Sequence, residues 1–165
     1  MDKDFTIRIA QPADVLELKD LFQDTVLNIN RRDYSKAEVE DWASCGNDIS
    51  HIKEMIRTYF FIVATNQQLQ VVGFASITQQ GYLHSMFVHK DFQGKGIATI
   101  LLNKIERYAT ATGIIRITSE VSLTARPFLV DSSASGYILI HLFPVLQKSL
   151  KSLNFHRTSQ RMTMN

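Results

Sequence analysis

Residues Tyr82–Thr99 read Tyr-Leu-His-Ser-Met-Phe-Val-His-Lys-Asp-Phe-Gln-Gly-Lys-Gly-Ile-Ala-Thr, a strand-forming run followed by a glycine-rich turn that opens an amphipathic helix. Gly94 and Gly96 let the backbone turn tightly and approach a ligand without side-chain obstruction. The first turn of the helix aims unpaired N–H groups and the positive end of its dipole outward, so the junction suits a pyrophosphate. The spacing excludes two common phosphate loops. A P-loop needs glycine at position 89 and Ser or Thr after Lys95, but His89 and Gly96 stand there. A dinucleotide fingerprint needs a third Gly or Ala at position 99, which is Thr99.

Upstream of this junction, Phe5–Ala10 alternates like a first strand, and Pro12 with Asp14 marks a helix start. Val15, Leu18, Leu21, Phe22, Val26 and Ile29 recur at three- and four-residue intervals, giving that helix one buried face. Ser35-Lys36-Ala37-Glu38 spells a capping box for a helix from about Lys36 through Trp42, ending by Gly46. Asp48 or Ser50 starts a further short helix ending near Arg57. Strands are expected from Tyr59, then over Leu69–Gln79 after a turn at Asn66-Gln67-Gln68, then over Tyr82–Val88. These three form an antiparallel meander. The helix Gly96–Ala111 follows, with Ile97, Leu101, Ile105 and Tyr108 on one stripe, and Gly113 ends it. Ile114–Val121 is expected to return parallel to Tyr82–Val88 through a strand-helix-strand crossover.

Composition sets limits on function. The 165 residues, 45% hydrophobic, are read as one domain, residues 1–165, with enough apolar material for a core. A net charge of +2, from 18 basic and 16 acidic residues, with no basic run longer than Arg31-Arg32, argues against a nucleic-acid partner. Cys45 stands alone, which rules out an internal disulfide or a paired-cysteine metal site and suits a reducing compartment. The charged start Met1-Asp2-Lys3-Asp4 lacks a signal-peptide core, and no uncharged stretch reaches membrane-spanning length. A cytoplasmic protein without a membrane partner is expected. The histidines at 51, 84, 89, 141 and 156 show no ligand spacing, so no metal is expected.

Gln93-x-x-Gly96-x-Ala98, preceded by the strand ending Met86-Phe87-Val88, resembles the coenzyme A signature Gln/Arg-x-x-Gly-x-Gly/Ala of the GNAT superfamily of N-acetyltransferases. The element order agrees with that family over about residues 5–128. The segments Asp33–Ala43 and Ser122–Phe128 look like features of a bacterial branch of it. The resemblance implies a mixed α/β acyl-CoA N-acyltransferase fold, in which the meander leads into a parallel strand-helix-strand splay. It also implies acetyl-CoA as cosubstrate. The pyrophosphate would lie on Gln93, Gly94, Lys95, Gly96, Ile97, Ala98 and Thr99, and the pantetheine arm would run along Met86, Phe87 and Val88. Tyr34 and Trp42 come from the segment where the family builds its acceptor pocket, so each lines that pocket or packs in the core.

Past Phe128 the agreement fades. Leu129 stands where the family often places a tyrosine acid, and Tyr137 is the nearest replacement. Residues 129–142 are read as an insertion or altered turn, with Pro144–Leu153 as the last helix and Arg157–Met164 as a final strand. A rewritten C-terminus with different pairing is the other reading. The apolar run Tyr137–Leu142 suits either a dimer-forming strand or interior core.

Acetyl transfer needs a neutral amine, and an amine of pKa about 10.4 requires a base or a water chain. A leaving thiol of pKa about 8.5 makes a dedicated acid helpful but dispensable. Glu120 near the end of its strand and His84 two residues before Met86 are the candidate bases. Both have structural readings as well. The function expected is direct acetyl transfer from acetyl-CoA to a primary amine of a small molecule or protein. The alternatives are a coenzyme A binding or sensing module without catalysis and a structural interaction domain.

Overall fold

The computed structural model describes residues 4–132 and 138–142. Strand β1 (Thr6–Ile9) leads through a single 3-10 turn at Pro12–Asp14 into helix α1 (Val15–Asn28), followed by α2 (Lys36–Ser44) and α3 (Ile49–Thr58). Strands β2 (Phe60–Thr65), β3 (Val71–Ile77) and β4 (Leu83–Val88) come next. Helix α4 (Ile97–Ala111), β5 (Ile117–Val121), α5 (Arg126–Ser132) and β6 (Ile138–Leu142) complete the described chain. β1 to β4 form an antiparallel sheet in chain order, and β5 pairs with β6 in parallel. Among the described residues no helix is long and apolar enough to cross a membrane.

The helix starts form where their caps dictate. Ser35 accepts the Glu38 amide while Glu38 reaches back to the Ser35 amide, closing the capping box of α2. Asp48 accepts the His51 amide at 2.9 Å and starts α3. At β1 the Asp14 carboxylate takes both a bidentate Arg8 and the Gln11 amide, which holds its pKa below the usual range.

The four-stranded sheet carries a core on each face. On one side Ile97, Leu101 and Ile105 of α4, all at most 1% exposed, pack on Ile62, Ile77 and Leu83. On the other, Leu18, Phe22 and Val26 of α1 pack with Val39 of α2 and Ile52 and Met55 of α3 against Phe61 and Phe74. Full burial of each such side chain stabilises the fold by roughly 1.5–3 kcal/mol before chain entropy is set against it.

Three expectations need correction. β3 begins at Val71 rather than Leu69, because Asn66 Oδ1 accepts the amides of Gln68 and Gln70 and draws both residues into the turn, with Leu69 at φ 62°. β5 begins at Ile117 rather than Ile114, because the Ile114 amide bonds Ala109 O and serves the end of α4. Within the stretch expected to be an insertion or altered turn, residues 129–132 and 138–142 are regular structure. Helix α5 runs on to Ser132, and Ile138–Leu142 lies in register with β5, Ile117 opposite Ile138 and Val121 opposite Leu142. An isoleucine- and leucine-rich strand supplies partners for the edge of β5 that faces away from β4, and α5 lies in the crossover that a parallel pair requires. Tyr137, the helix expected at Pro144–Leu153 and the strand expected at Arg157–Met164 lie outside the described residues.

Gly73 couples the sheet to the helix that opens after the glycine turn. A Cβ there would stand 2.8 Å from Ile97 Cγ2 and 3.2 Å from both Leu101 Cδ1 and Phe87 O. Gly73→Ala is therefore expected to cost about 1–3 kcal/mol in denaturant unfolding and to push the start of α4 off the sheet.

Candidate active site

The glycine turn hangs from β4 by one side chain. After a 3-10 turn at Lys90–Phe92, Gln93 is extended, and its side-chain amide donates to Val88 O at 2.6 Å. Gly94 (φ 71°) and Gly96 (φ 79°) then occupy the left-handed region, where a Cβ is strained. Gly96 is the N-cap of α4 and no side chain caps the helix. The Ile100 amide reaches Gly96 O at 3.1 Å, so the amides of Ile97, Ala98 and Thr99 ahead of it are left for an anion. Apart from the adjoining residues, no atom of the described residues lies within 4 Å of the position a Cβ would take at either glycine. The Lys95 ammonium sits 4.8 Å over the Phe92 ring, beside the turn.

β4 offers its main chain on the side facing β5. The His89 amide bonds Val72 O, which fixes the alternation along the ladder. His89, Phe87 and Ser85 turn their main-chain groups toward β3, while Met86 and Val88 turn theirs away from it. Val88 O is engaged by Thr25 Oγ1 at 3.1 Å and by Gln93, which leaves the Val88 amide and both Met86 groups as the ladder for an extended ligand arm. The Phe87 main chain faces β3 instead, and its ring packs in the core with Phe22 and Trp42.

A bulge makes the opening. Ser76 lies opposite Ser85 and Ile77 opposite Leu83, so His84 is an extra residue in β4. Before the bulge, Tyr82 bridges Thr118 in parallel and Ser119 Oγ donates to Leu83 O at 3.0 Å. Beyond it β5 pairs with β6, and β4 and β5 diverge. A cavity of about 490 Å³ fills the gap, from Gly94, Gly96 and Thr99 past Met86 and Val88 to Glu120 and Ser122, and on to Asn30, Trp42 and Cys45.

The candidate proton-handling groups meet at the bulge. Glu120 is exposed and lines the cavity. Burial first, and then the nearby Glu120 charge, push the Tyr82 pKa to about 12. The His84 ring is shut in by Tyr59, Tyr82 and His51 at centroid distances of 5.4, 6.1 and 6.2 Å. That burial, aided by His51, pushes the His84 pKa down to about 4. Trp42 lines the cavity, whereas Tyr34 stacks edge-on against Trp42 at 5.8 Å and accepts the Leu123 amide at 2.9 Å. Leu129 is buried in the cavity wall.

Sequence reasoning passed over four wall residues. In the sequence Tyr82 reads only as part of a strand. Thr25 is a polar residue within the apolar stripe of α1, a signal that pointed to a buried partner, here Val88 O. Asn30, 4% exposed, places Nδ2 3.5 Å from Ser122 Oγ. Cys45, distant in sequence from the glycine turn, reaches the cavity because α2 packs beneath β4. Among the described residues, no group of three His, Cys, Asp or Glu side chains is placed to hold a metal ion.

Comparisons with known proteins agree with this architecture. The family model described as Acetyltransferase (GNAT) domain matches residues 30–130. The chain belongs to this family of GNAT acetyltransferases. Among solved structures, it is similar to a GCN5-related N-acetyltransferase from Rhodopseudomonas palustris (26% identity, TM-score 0.75, covering 79% of this chain and 81% of that one). The PaiA N-acetyltransferase from Thermoplasma acidophilum, solved in complex with coenzyme A, shares the fold at 17% identity and TM-score 0.68, over 78% of this chain and 87% of that one. A GNAT-family acetyltransferase from Staphylococcus aureus Mu50 does so at 18% identity and TM-score 0.64, over 87% and 94%. No curated protein sequence matches the chain.

Burial of His84 has a measurable consequence. Between pH 6.5 and about 4 the unfolded chain binds a proton that the folded chain refuses, so stability is full above that window and falls with pH across it. The shift corresponds to roughly 3 kcal/mol. His84→Gln is expected to flatten the fall of Tm from pH 6.5 to 4 in a thermal melt series, while leaving the contribution of the Arg8–Asp14 pair in place.

Proposed function

We propose that the protein is an acetyl-CoA-dependent N-acetyltransferase that passes the acetyl group directly to a primary amine. One observation carries this reading: a single cavity joins an uncapped helix start, an unpaired strand edge and an exposed carboxylate. In this reading the pyrophosphate lies on the main chain of residues 93–99, with Lys95 beside it. The pantetheine arm pairs with Met86 and Val88, and the thioester rests where β4 leaves β5. The whole chain, residues 1–165, is read as one catalytic domain.

The reaction then follows from the groups present. The neutral amine attacks the thioester carbon, and the tetrahedral oxyanion takes a hydrogen bond from a β4 amide. The C–S bond breaks as the carbonyl re-forms, and the thiolate leaves unaided because its conjugate acid has pKa about 8.5. The proton lost by the amine passes to Glu120, which exchanges it with solvent. Glu120 is favoured over His84 because it is exposed on the cavity wall, whereas the His84 ring is enclosed and weakly basic. Tyr82, held protonated by burial, stands in the same cavity wall as Glu120. No covalent enzyme intermediate is required, and Cys45 takes no part.

Calorimetry with acetyl-CoA and amine-dependent thiol release test the two halves separately. Wild type is expected to bind acetyl-CoA and to release thiol only when an amine acceptor is present. Gly96→Ala, which forces a Cβ into the left-handed region, is expected to weaken acetyl-CoA binding by about tenfold, the equivalent of the 1–2 kcal/mol backbone strain. Glu120→Gln is expected to bind acetyl-CoA as wild type does and to lose about 100-fold in kcat/KM. Binding without turnover across a broad amine panel would leave a coenzyme A binding module, and no binding at all would leave an interaction domain.

A further inference from the structure

Resting on the acetyltransferase reading, the geometry points to a further catalytic residue: we propose that the Ser85 hydroxyl donates a hydrogen bond to the acyl oxygen as the tetrahedral intermediate forms. The argument starts from a hydroxyl pair across β3 and β4. Ser76 Oγ and Ser85 Oγ stand 2.6 Å apart on paired strands, and Ser76 is fully buried. Each hydroxyl has one proton to give, and a single proton lies between the two oxygens. Among the described residues Ser85 Oγ is the hydrogen-bond partner of Ser76 Oγ, and no second one stands beside it. A Ser76 proton aimed elsewhere would be buried without an acceptor, which is costly, so Ser76 donates and Ser85 accepts.

The Ser85 proton is then turned out of the pair. Ser85 borders two spaces. One is a small pocket among Leu18, Phe22, Ile52, Met55 and Phe61 with almost wholly apolar walls, a poor place for an O–H. The other is the main cavity, at the point where β4 bulges at His84 and parts from β5. Ser85 Oγ is four covalent bonds from the Met86 nitrogen, whose amide lies on the open edge of β4, so the two donors converge on one oxygen. In the transfer step the amine nitrogen bonds to the thioester carbon and the carbonyl π pair moves onto oxygen. That oxyanion takes the Ser85 O–H together with the β4 amide, and the Ser85 proton is shared without being transferred. The pair returns as the C–S bond breaks, the thiolate leaves and the amine proton goes to Glu120. Ser76 acts only through Ser85, as a positioning residue whose donated bond strengthens Ser85 as a donor.

Alanine variants separate a catalytic role from a packing role. Ser85→Ala strands the Ser76 proton, so its Tm is expected to fall by about 3–9 °C. Its kcat for thiol release is expected to fall about 100-fold, while calorimetry finds acetyl-CoA binding close to that of wild type. The double variant Ser76→Ala with Ser85→Ala strands no polar atom, and its Tm is expected to return to near the wild-type value while kcat stays about 100-fold down. Should Ser85→Ala fail to fold, the double variant carries the comparison alone. Recovery of kcat together with Tm in the double variant, or a loss of kcat smaller than tenfold in either variant lacking the Ser85 hydroxyl, overturns this inference and leaves the acetyltransferase reading intact. Absence of turnover by wild type across the amine panel overturns both.

Discussion

Ser119 Oγ and Leu83 O hold β4 and β5 together at 3.0 Å immediately before the extra residue His84, and the strands separate immediately after it. A sheet that continued to pair there would satisfy Met86 and Val88 internally and leave no room for a ligand. Instead β5 finds its pairing on the other side, in β6, and among the described residues β4 keeps one edge unmade. Such an edge is costly unless something covers it. The helices on both faces hold the wedge open, α4 through Ile97 and Leu101 against the close surface at Gly73, and α1 through Thr25 against Val88 O.

The glycine turn depends on the same wedge. Gln93 ties it to the last carbonyl of β4, so the start of α4 and the open strand edge are fixed relative to each other by one short hydrogen bond. Both elements present main chain rather than side chains to the cavity. The fold recurs in solved structures sharing 17% and 18% of their residues with this chain. In this chain the site rests on two left-handed glycines, an uncapped helix start and the bulge.

Much of this was legible in the sequence. Each element from β1 to α4 announces itself by periodicity or by its cap, as with the Ser35–Glu38 box and the Gly94–Gly96 turn. Boundaries failed where one residue's hydrogen bond outweighs its neighbours' propensity: Asn66 extends a turn into an apparent strand, and Ile114 closes α4 although its side chain favours a strand. Parallel pairing of β6 with β5 is a long-range choice that leaves no local spacing signal past Phe128. His84 showed a similar limit. Its position on β4 was plain, but the bulge and the three enclosing rings are properties of packing, and they turn a residue with an ordinary near-neutral pKa into a weak base.

Asp33 and Tyr34 grip Thr124 and Leu123 across some ninety residues of chain, 91 and 89 positions apart, whereas the turn from Gln93 to Gly96 is built from neighbours in sequence. The two ends of the cavity therefore depend on the chain in different ways. Substitutions in the clasp between the α1–α2 turn and the β5–α5 loop can reshape one end while the other, written in local backbone conformation, stays as it is.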